Sequence, residues 1–145
     1  MPLEFLQLIG KENIEDTRLG DQVQLDMTVM FFDIRAFTSM SEHMTPQQNF
    51  DFVNSYFEQV CPIIREHSGF VVKFGGDGIM AAFPNRAEDA IDTAVAVLKQ
   101  LKSYEALHTR DTERHLRVGF GVHAGSMMPG IVGEAERLQL SLIHI

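Results

Sequence analysis

The segment Phe70–Phe83 of this chain reads FVVKFGGDGIMAAF and is typical of a β-hairpin. Two short apolar runs, Phe70–Phe74 and Ile79–Phe83, flank the tetrapeptide Gly75–Gly78, which contains Asp77. Glycines in a tight turn accept the positive φ that a strand reversal needs. The segment therefore predicts two antiparallel neighbouring strands that carry an aspartate at their tip.

A second apolar run, Met27–Phe32, is followed at once by another aspartate, Asp33. Its β-branched and aromatic residues predict a buried strand. If this strand lies beside the hairpin, the carboxylates of Asp33 and Asp77 converge on one point. Two such carboxylates could hold divalent metal ions that clamp a triphosphate. The alternative is structural, with Asp33 capping a turn and Asp77 serving as an ordinary hairpin residue.

Two helices are predicted on either side of the hairpin. Thr45–Pro46 is a favourable helix start, and apolar residues at helical spacing follow as far as Ile64. The second helix covers Ala87–Leu101, which is rich in strong helix formers.

The remaining sequence predicts two further strands. Leu116–His123 is the first, and Gly125 and Pro129–Gly130 indicate turns around a last short strand at Ile131–Val132. The order strand, helix, hairpin, helix, strand, strand predicts an α+β fold. We expect a ferredoxin-like or palm-type core, a mostly antiparallel sheet with its helices on one face.

The composition limits the possible functions of the chain. Its 145 residues include 12 Lys and Arg against 20 Asp and Glu, a net charge of −8, which argues against nucleic-acid binding. An acidic protein can still bind nucleotides through divalent metals. The single cysteine and the lack of an apolar run of about 20 residues predict a cytoplasmic domain, with a membrane anchor further upstream left open.

Other residues are weaker candidates for chemistry. Strand alternation places Lys73 on the face of Asp77, where it could donate to a nucleobase or simply be solvated. Arg117 could meet a phosphate or lie at a strand edge. His67 is predicted at a helix C-terminus, and His123 is predicted to be a packed residue of a strand. The segment 34–38 is suited to wrapping backbone amides around phosphates, or is only a strand-to-helix turn.

Four segments, in this order, resemble the class III adenylyl and guanylyl cyclases, and the resemblance runs from about Pro2 to Gln139. They are VMFFDIRAFT at 29–38, VKFGGDGIMA at 72–81, VGFGVHAG at 118–125 and GIVGE at 130–134. The lead-in before residue 25 also resembles bacterial multidomain cyclases, in which a sensor module precedes the catalytic domain.

The resemblance implies a role for each matching residue. Asp33 and Asp77 match the aspartates that bind two Mg²⁺ or Mn²⁺ ions, and Ile34 would add its backbone carbonyl. Lys73 matches the purine-selecting position, which is lysine in adenylyl cyclases and typically glutamate in guanylyl cyclases. The implied reaction converts ATP to 3′,5′-cyclic AMP and pyrophosphate. The remaining substrate-binding residues would be Phe37 and Thr38 through their amides, Gly76, and Arg117.

The C-terminal end departs from the family. Family members continue with a strand and a helix bearing an Asn and an Arg, which complete the site of the other subunit in a head-to-tail dimer. Here the chain ends in LSLIHI at 140–145, which equals the translation of a sequencing adapter. We therefore predict a lead-in at 1–24 without its own packing partner, a partial catalytic domain at 25–139 and a non-native tail at 140–145. The chain alone is expected to be inactive without a cyclase-domain partner.

Three alternative functions remain open. A non-catalytic cyclase-homology domain would serve dimerisation or regulation, although retention of Asp33, Lys73 and Asp77 argues against it. A guanylyl cyclase is possible because the second base-contacting residue of the family is absent. A diguanylate cyclase is suggested by Gly75–Gly78, but Ile79 does not continue that family's motif.

Overall fold

A computed structural model describes residues 3–108, 116–134 and 137–144, and no side chains within 104–108, 132, 134, 137–141 or 143–144. A short 3₁₀ turn at Ile14–Asp16 separates the first helix from the first strand. The helices are α1 (Leu3–Leu8), α2 (Phe37–Ser41), α3 (Pro46–Glu66) and α4 (Ala87–His108), and the strands are β1 (Leu25–Ile34), β2 (Phe70–Gly75), β3 (Gly78–Phe83), β4 (Val118–Glu134) and β5 (Arg137–His144).

The strands form one antiparallel sheet in the order β2-β3-β1-β4-β5. Central strand β1 places Phe32 opposite Ile79 of β3 and Phe120 of β4. Helices α3 and α4 pack against each other and against the sheet. This confirms the predicted α+β class, and the hairpin follows the predicted pattern.

Strand β1 separates the two faces of the sheet through its alternating side chains. Met30, Phe32 and Ile34 are buried in the cluster formed with α3 and α4. On the other face Phe31 is 53% exposed, and Asp33 is exposed as well. One face therefore forms the main core, while the other stays open near the end of β1.

The N-terminal segment packs against the open face at its far end, contrary to prediction. Phe5 is fully buried and shares a second apolar cluster with Met27, Val29 and Ile131. The expectation that this segment lacks a packing partner was therefore wrong, because α1 covers apolar side chains that the helices of the main core leave bare. The domain boundary at residue 25 stays a prediction.

The turns predicted at Gly125 and at Pro129–Gly130 are also wrong, because β4 passes through both without a break. Its first part pairs with β1 and its second part with β5, so pairing continues along the strand. At Gly130 a Cβ would lie 3.0 Å from the carbonyl oxygen of Asp21. This glycine therefore permits a close crossing of the N-terminal segment instead of forming a turn.

Gly69, between α3 and β2, offers a direct test of core packing. A Cβ there would lie 2.7 Å from Cδ1 of the buried Phe83 and 3.0 Å from Cγ2 of Ile64. We expect Gly69→Ala to lower the free energy of unfolding by about 1–3 kcal/mol through overpacking, measured by urea denaturation. Gly121→Ala is the control, because nothing lies within 4 Å of its added Cβ. Equal denaturation midpoints for the two variants would contradict the packing described.

Candidate functional site

The tip of the hairpin is tied to the end of β1 by one hydrogen bond. Gly76 has a φ of 59°, which lets a two-residue turn join the paired Gly75 and Gly78. In that turn Oδ2 of Asp77 accepts a hydrogen bond from the backbone N–H of Ile34 at 2.9 Å. The structure thus brings Asp77 to the residue that follows Asp33, as the sequence predicted.

The two aspartates interact electrostatically. Burial raises the pKa of Asp77, and hydrogen bonding to the Asp33 carboxyl and the negative charge of Asp33 raise it further. The backbone N–H groups of Ile34 and Asp77 act in the opposite direction. Two carboxylates that favour sharing a proton form a pair suited to a bound cation, which would neutralise both.

The raised pKa of Asp77 has a definite consequence for stability. The folded protein takes up a proton at Asp77 at a higher pH than the unfolded chain does. The contribution of this group to folding stability therefore rises as pH falls through its folded pKa, and is lost above that pKa. Ionised Asp77 destabilises the metal-free fold at neutral pH.

The turn after β1 presents the start of α2 beside this pair. Ala36 takes left-handed backbone angles, with a φ of 56°, and no side chain caps the helix that begins at Phe37. The ring of Phe37 stacks on Phe52 of α3, with centroids 6.1 Å apart. This contact holds α2 against α3. The backbone amides of Phe37 and Thr38, four and five residues after Asp33, therefore have a fixed position at the start of α2.

Three basic residues lie close together where the turn after β1 meets the start of β4. The backbone N–H of Arg35 donates to the carbonyl of Arg117 at 2.7 Å. Both residues line a cavity of about 420 Å³ together with Lys102 of α4 and four apolar side chains. The sequence indicated Arg117 alone. Arg35 and Lys102 were missed because their proximity depends on how α4 packs beside the start of β4.

Lys73 lies on β2, on the open face of the sheet. It pairs with Met80 of β3, which in turn pairs with Phe31 of β1. These residues line a small groove of about 190 Å³ beside the hairpin. Lys73 itself is exposed, so the structure leaves its role as a prediction.

One buried residue near the site was missed by sequence reasoning. Tyr56 of α3 is 2% exposed, and its hydroxyl has no hydrogen-bond partner. Burial raises its pKa, and the charges of Asp77 and Asp33 add to that effect. A tyrosine at helical spacing among apolar residues indicates only core packing, so no signal in the sequence marked Tyr56 as a residue of the site.

The donor set suits a hard divalent cation. Carboxylate oxygens of Asp33 and Asp77 and the backbone carbonyl of Ile34 are the oxygen ligands that Mg²⁺ prefers, with water and phosphate oxygens completing the shell. Within residues 3–108, 116–134 and 137–144 there is no cluster of three or more His, Cys, Asp or Glu that could hold a metal. Any ion here would therefore depend on this pair, with water oxygens completing its shell before substrate binds.

His67 and His123, the two histidines considered in the sequence analysis, are not part of the aspartate pair or its surroundings. His67 forms the C-terminal cap of α3, as predicted, and its Nδ1 lies 2.8 Å from the carbonyl oxygen of Ile63. His123 lies on β4, as predicted, but it is exposed, so the expectation that it is packed was wrong: it points to the open face of the sheet, opposite Val29. Over the described part of the chain, no helix has the length and apolar character needed to cross a membrane.

Comparisons with known proteins show what the whole chain is similar to. The family described as "Adenylate and Guanylate cyclase catalytic domain" matches residues 20–140. The chain is 35% identical over 144 residues to the terminal-differentiation specific adenylate cyclase of Dictyostelium discoideum, covering 96% of this chain and 7% of that protein. It is 33% identical over 148 residues to an adenylate cyclase of Anabaena cylindrica, covering 99% and 30%.

A solved structure of a bacterial light-regulated adenylyl cyclase superposes with a TM-score of 0.83 at 27% identity, covering 99% of this chain and 42% of that one. The chain therefore spans less than half the length of each of these proteins.

Proposed function

Because this chain belongs to the adenylate and guanylate cyclase catalytic domain family, we propose that it forms the metal- and phosphate-binding half of an adenylyl cyclase site. The proposed reaction converts ATP to 3′,5′-cyclic AMP and pyrophosphate for signal transduction. The observation that carries the proposal is the hydrogen bond that fixes Asp77 against Ile34, next to Asp33. It places both carboxylates at one corner of the sheet.

Each residue at this corner of the sheet has its own role in the proposed site. Asp33, Asp77 and the carbonyl of Ile34 would hold two Mg²⁺ or Mn²⁺ ions. When bound, such ions neutralise triphosphate charge and acidify the attacking ribose 3′-hydroxyl. The uncapped amides of Phe37 and Thr38 would donate to the β- and γ-phosphates. Gly76 lets the hairpin turn approach the nucleotide.

Basic residues and the open face supply the rest of the substrate contacts. Arg117 would neutralise phosphate charge from the start of β4. Lys73 would donate from Nζ to N1 of adenine, which is an acceptor, whereas guanine N1 carries a proton. This difference favours ATP, since a mismatched base would leave a polar group unpaired.

A second cyclase domain is required by this proposal. The exposed apolar residue Phe31, 53% exposed, lies on the open sheet face where a partner would dock. That partner, either a second copy of the parent protein or a different cyclase domain, would supply the Asn and Arg of the other half-site. An upstream sensor module in the parent protein, a domain start near residue 25 and a cytoplasmic location belong to the same proposal.

A guanylyl cyclase is the second candidate, because the matching family includes both activities. The presence of lysine at 73 favours the adenylyl reaction. A non-catalytic regulatory domain is disfavoured. Two carboxylates that repel each other, Asp33 at the end of β1 and Asp77 in the hairpin turn, cost stability without serving such a domain.

A chimera tests the proposal. Residues 1–139 are joined to the catalytic-domain residues that follow the matching region in the Anabaena cylindrica adenylate cyclase, and cyclic nucleotide formation is measured with Mn²⁺ and ATP or GTP. We expect cyclic AMP from the chimera and none from the 145-residue chain alone. Cyclic GMP alone would indicate a guanylyl cyclase, and no product from a folded, dimeric chimera would favour a regulatory domain.

A further inference from the structure

Helix α3 carries the buried polar atoms that lack partners. Among the side chains that the structure describes, only Oδ1 of Asn49 and the hydroxyl of Tyr56 are buried without a hydrogen bond. The two residues are seven apart, two helical turns, so they lie on the same face of α3. A buried polar group without a partner costs free energy, and therefore needs an explanation.

The surroundings of Tyr56 place it behind the aspartate pair. It belongs to the same buried cluster as Phe32 and Ile34, which flank Asp33, and as Ile79, which lies two residues beyond Asp77. Its neighbour Phe57 contacts Phe74 of β2, with ring centroids 4.5 Å apart. This contact holds α3 against the hairpin that carries Asp77.

The chemistry of the hydroxyl allows only one role toward these carboxylates. A tyrosine hydroxyl has an ordinary pKa of about 10, so Tyr56 is protonated at neutral pH. A protonated phenol beside carboxylates acts as a hydrogen-bond donor. Oδ2 of Asp77 already accepts from Ile34, and the pair has further lone pairs to satisfy.

We propose that Tyr56 is a positioning residue for the metal site, whose hydroxyl donates a hydrogen bond to the Asp33–Asp77 pair when a divalent cation binds there. The bond forms directly or through one water, and it holds the carboxylates in the orientation that the cation needs. This inference rests on the proposed function, because it requires the metal site. Partners that orient metal ligands in this way typically change metal affinity by about 10–100-fold.

The test measures Mn²⁺ binding by the 145-residue chain and needs no catalytic activity. Tyr56→Phe is expected to weaken the Kd for Mn²⁺ by about 10-fold. Its melting temperature without metal should stay the same or rise, because the substitution removes only an unpaired hydroxyl. A purely structural role would lower the metal-free melting temperature and leave the Kd unchanged.

Tyr104→Phe is the matched control and adds a second readout. The chain has two tyrosines and no tryptophan, so this variant leaves Tyr56 as the single fluorescent reporter. We expect its Kd to match that of the unaltered chain, and saturation with paramagnetic Mn²⁺ to quench the Tyr56 emission. This readout holds even if Tyr56→Phe fails to fold.

The outcomes separate the two proposals. The Tyr56 inference is overturned, and the metal site stands, if Asp33→Asn loses Mn²⁺ binding while Tyr56→Phe binds Mn²⁺ as tightly as the unaltered chain. The same conclusion follows if Asp33→Asn loses Mn²⁺ binding and Mn²⁺ does not change the Tyr56 emission. If the unaltered chain binds no Mn²⁺, or if Asp33→Asn binds it equally well, the metal site itself is absent and both proposals fail.

Discussion

Replacing Asp33 or Asp77 with asparagine is expected to lower kcat/KM for cyclic AMP formation by the chimera by at least about 10³-fold. In the proposed site each carboxylate would supply charge that holds the cations, and metal stabilisation of a phosphoryl transition state contributes several kcal/mol. Since each 1.4 kcal/mol or so corresponds to a factor of ten, the loss of one ligand should reach this size. The measurement is the initial rate with Mn²⁺ and ATP at several concentrations of each.

The same substitutions should leave the fold intact. Asparagine at 77 keeps a side-chain oxygen that can accept from the Ile34 N–H, and it removes the repulsion from Asp33. The metal-free melting temperature of Asp77→Asn should therefore equal or exceed that of the unaltered chain at pH 7. This advantage should shrink as pH falls through the raised pKa of Asp77, because the unaltered carboxyl then takes up its proton.

Asp26→Asn is the matched control for both measurements. Asp26 lies on the same strand, β1, but at its opposite end, where it is exposed. Its replacement should change neither activity nor the response of the melting temperature to Mn²⁺. Full activity in Asp33→Asn or Asp77→Asn would exclude the carboxylate pair as the metal site.

Local sequence patterns predicted those parts of the fold that depend on neighbouring residues. The hairpin at Phe70–Phe83 and the strand ending in Asp33 follow from alternation, apolar content and turn glycines. Their convergence also followed, because an antiparallel sheet places the hairpin tip beside the end of β1. The aspartate pair was therefore predictable from residues that lie 44 positions apart.

Features that depend on distant packing escaped prediction. Gly130 resembles a turn residue, yet it serves a close crossing by Asp21, which sequence spacing does not reveal. Phe5 is buried only because α1 covers the second face of the sheet. Tyr56 has the helical spacing of an ordinary core aromatic residue. The sequence does not reveal that the charges of Asp33 and Asp77 act on its hydroxyl, because those residues lie on other elements.

Lys73→Glu is expected to invert the base preference of the chimera. The loss of the donor to adenine N1 should lower kcat/KM for ATP by at least about 10²-fold, since sites built to hydrogen-bond a group discriminate strongly against its absence. The new carboxylate can accept from guanine N1–H, so the ratio of GTP to ATP turnover should rise. The measurement is cyclic AMP and cyclic GMP formation at equal nucleotide concentrations.

Two further variants separate base recognition from charge. Lys99→Glu makes the same charge change at an exposed position on α4, and it should leave the GTP to ATP ratio unchanged. Lys73→Met removes the donor without adding an acceptor, so it should lose ATP turnover and gain none with GTP. If Lys73→Glu leaves the ratio unaltered, the purine is not read by this residue.

The position of Lys73 explains why this test needs a second domain. Lys73 is exposed in its groove on the open sheet face, and water there competes for every hydrogen bond. A lysine discriminates between bases only when water is excluded, because an unpaired group then cannot be solvated. A partner covering Phe31 would close this face over the base. Base selectivity should therefore appear with dimerisation, and nucleotide binding by the isolated chain should show little preference between ATP and GTP.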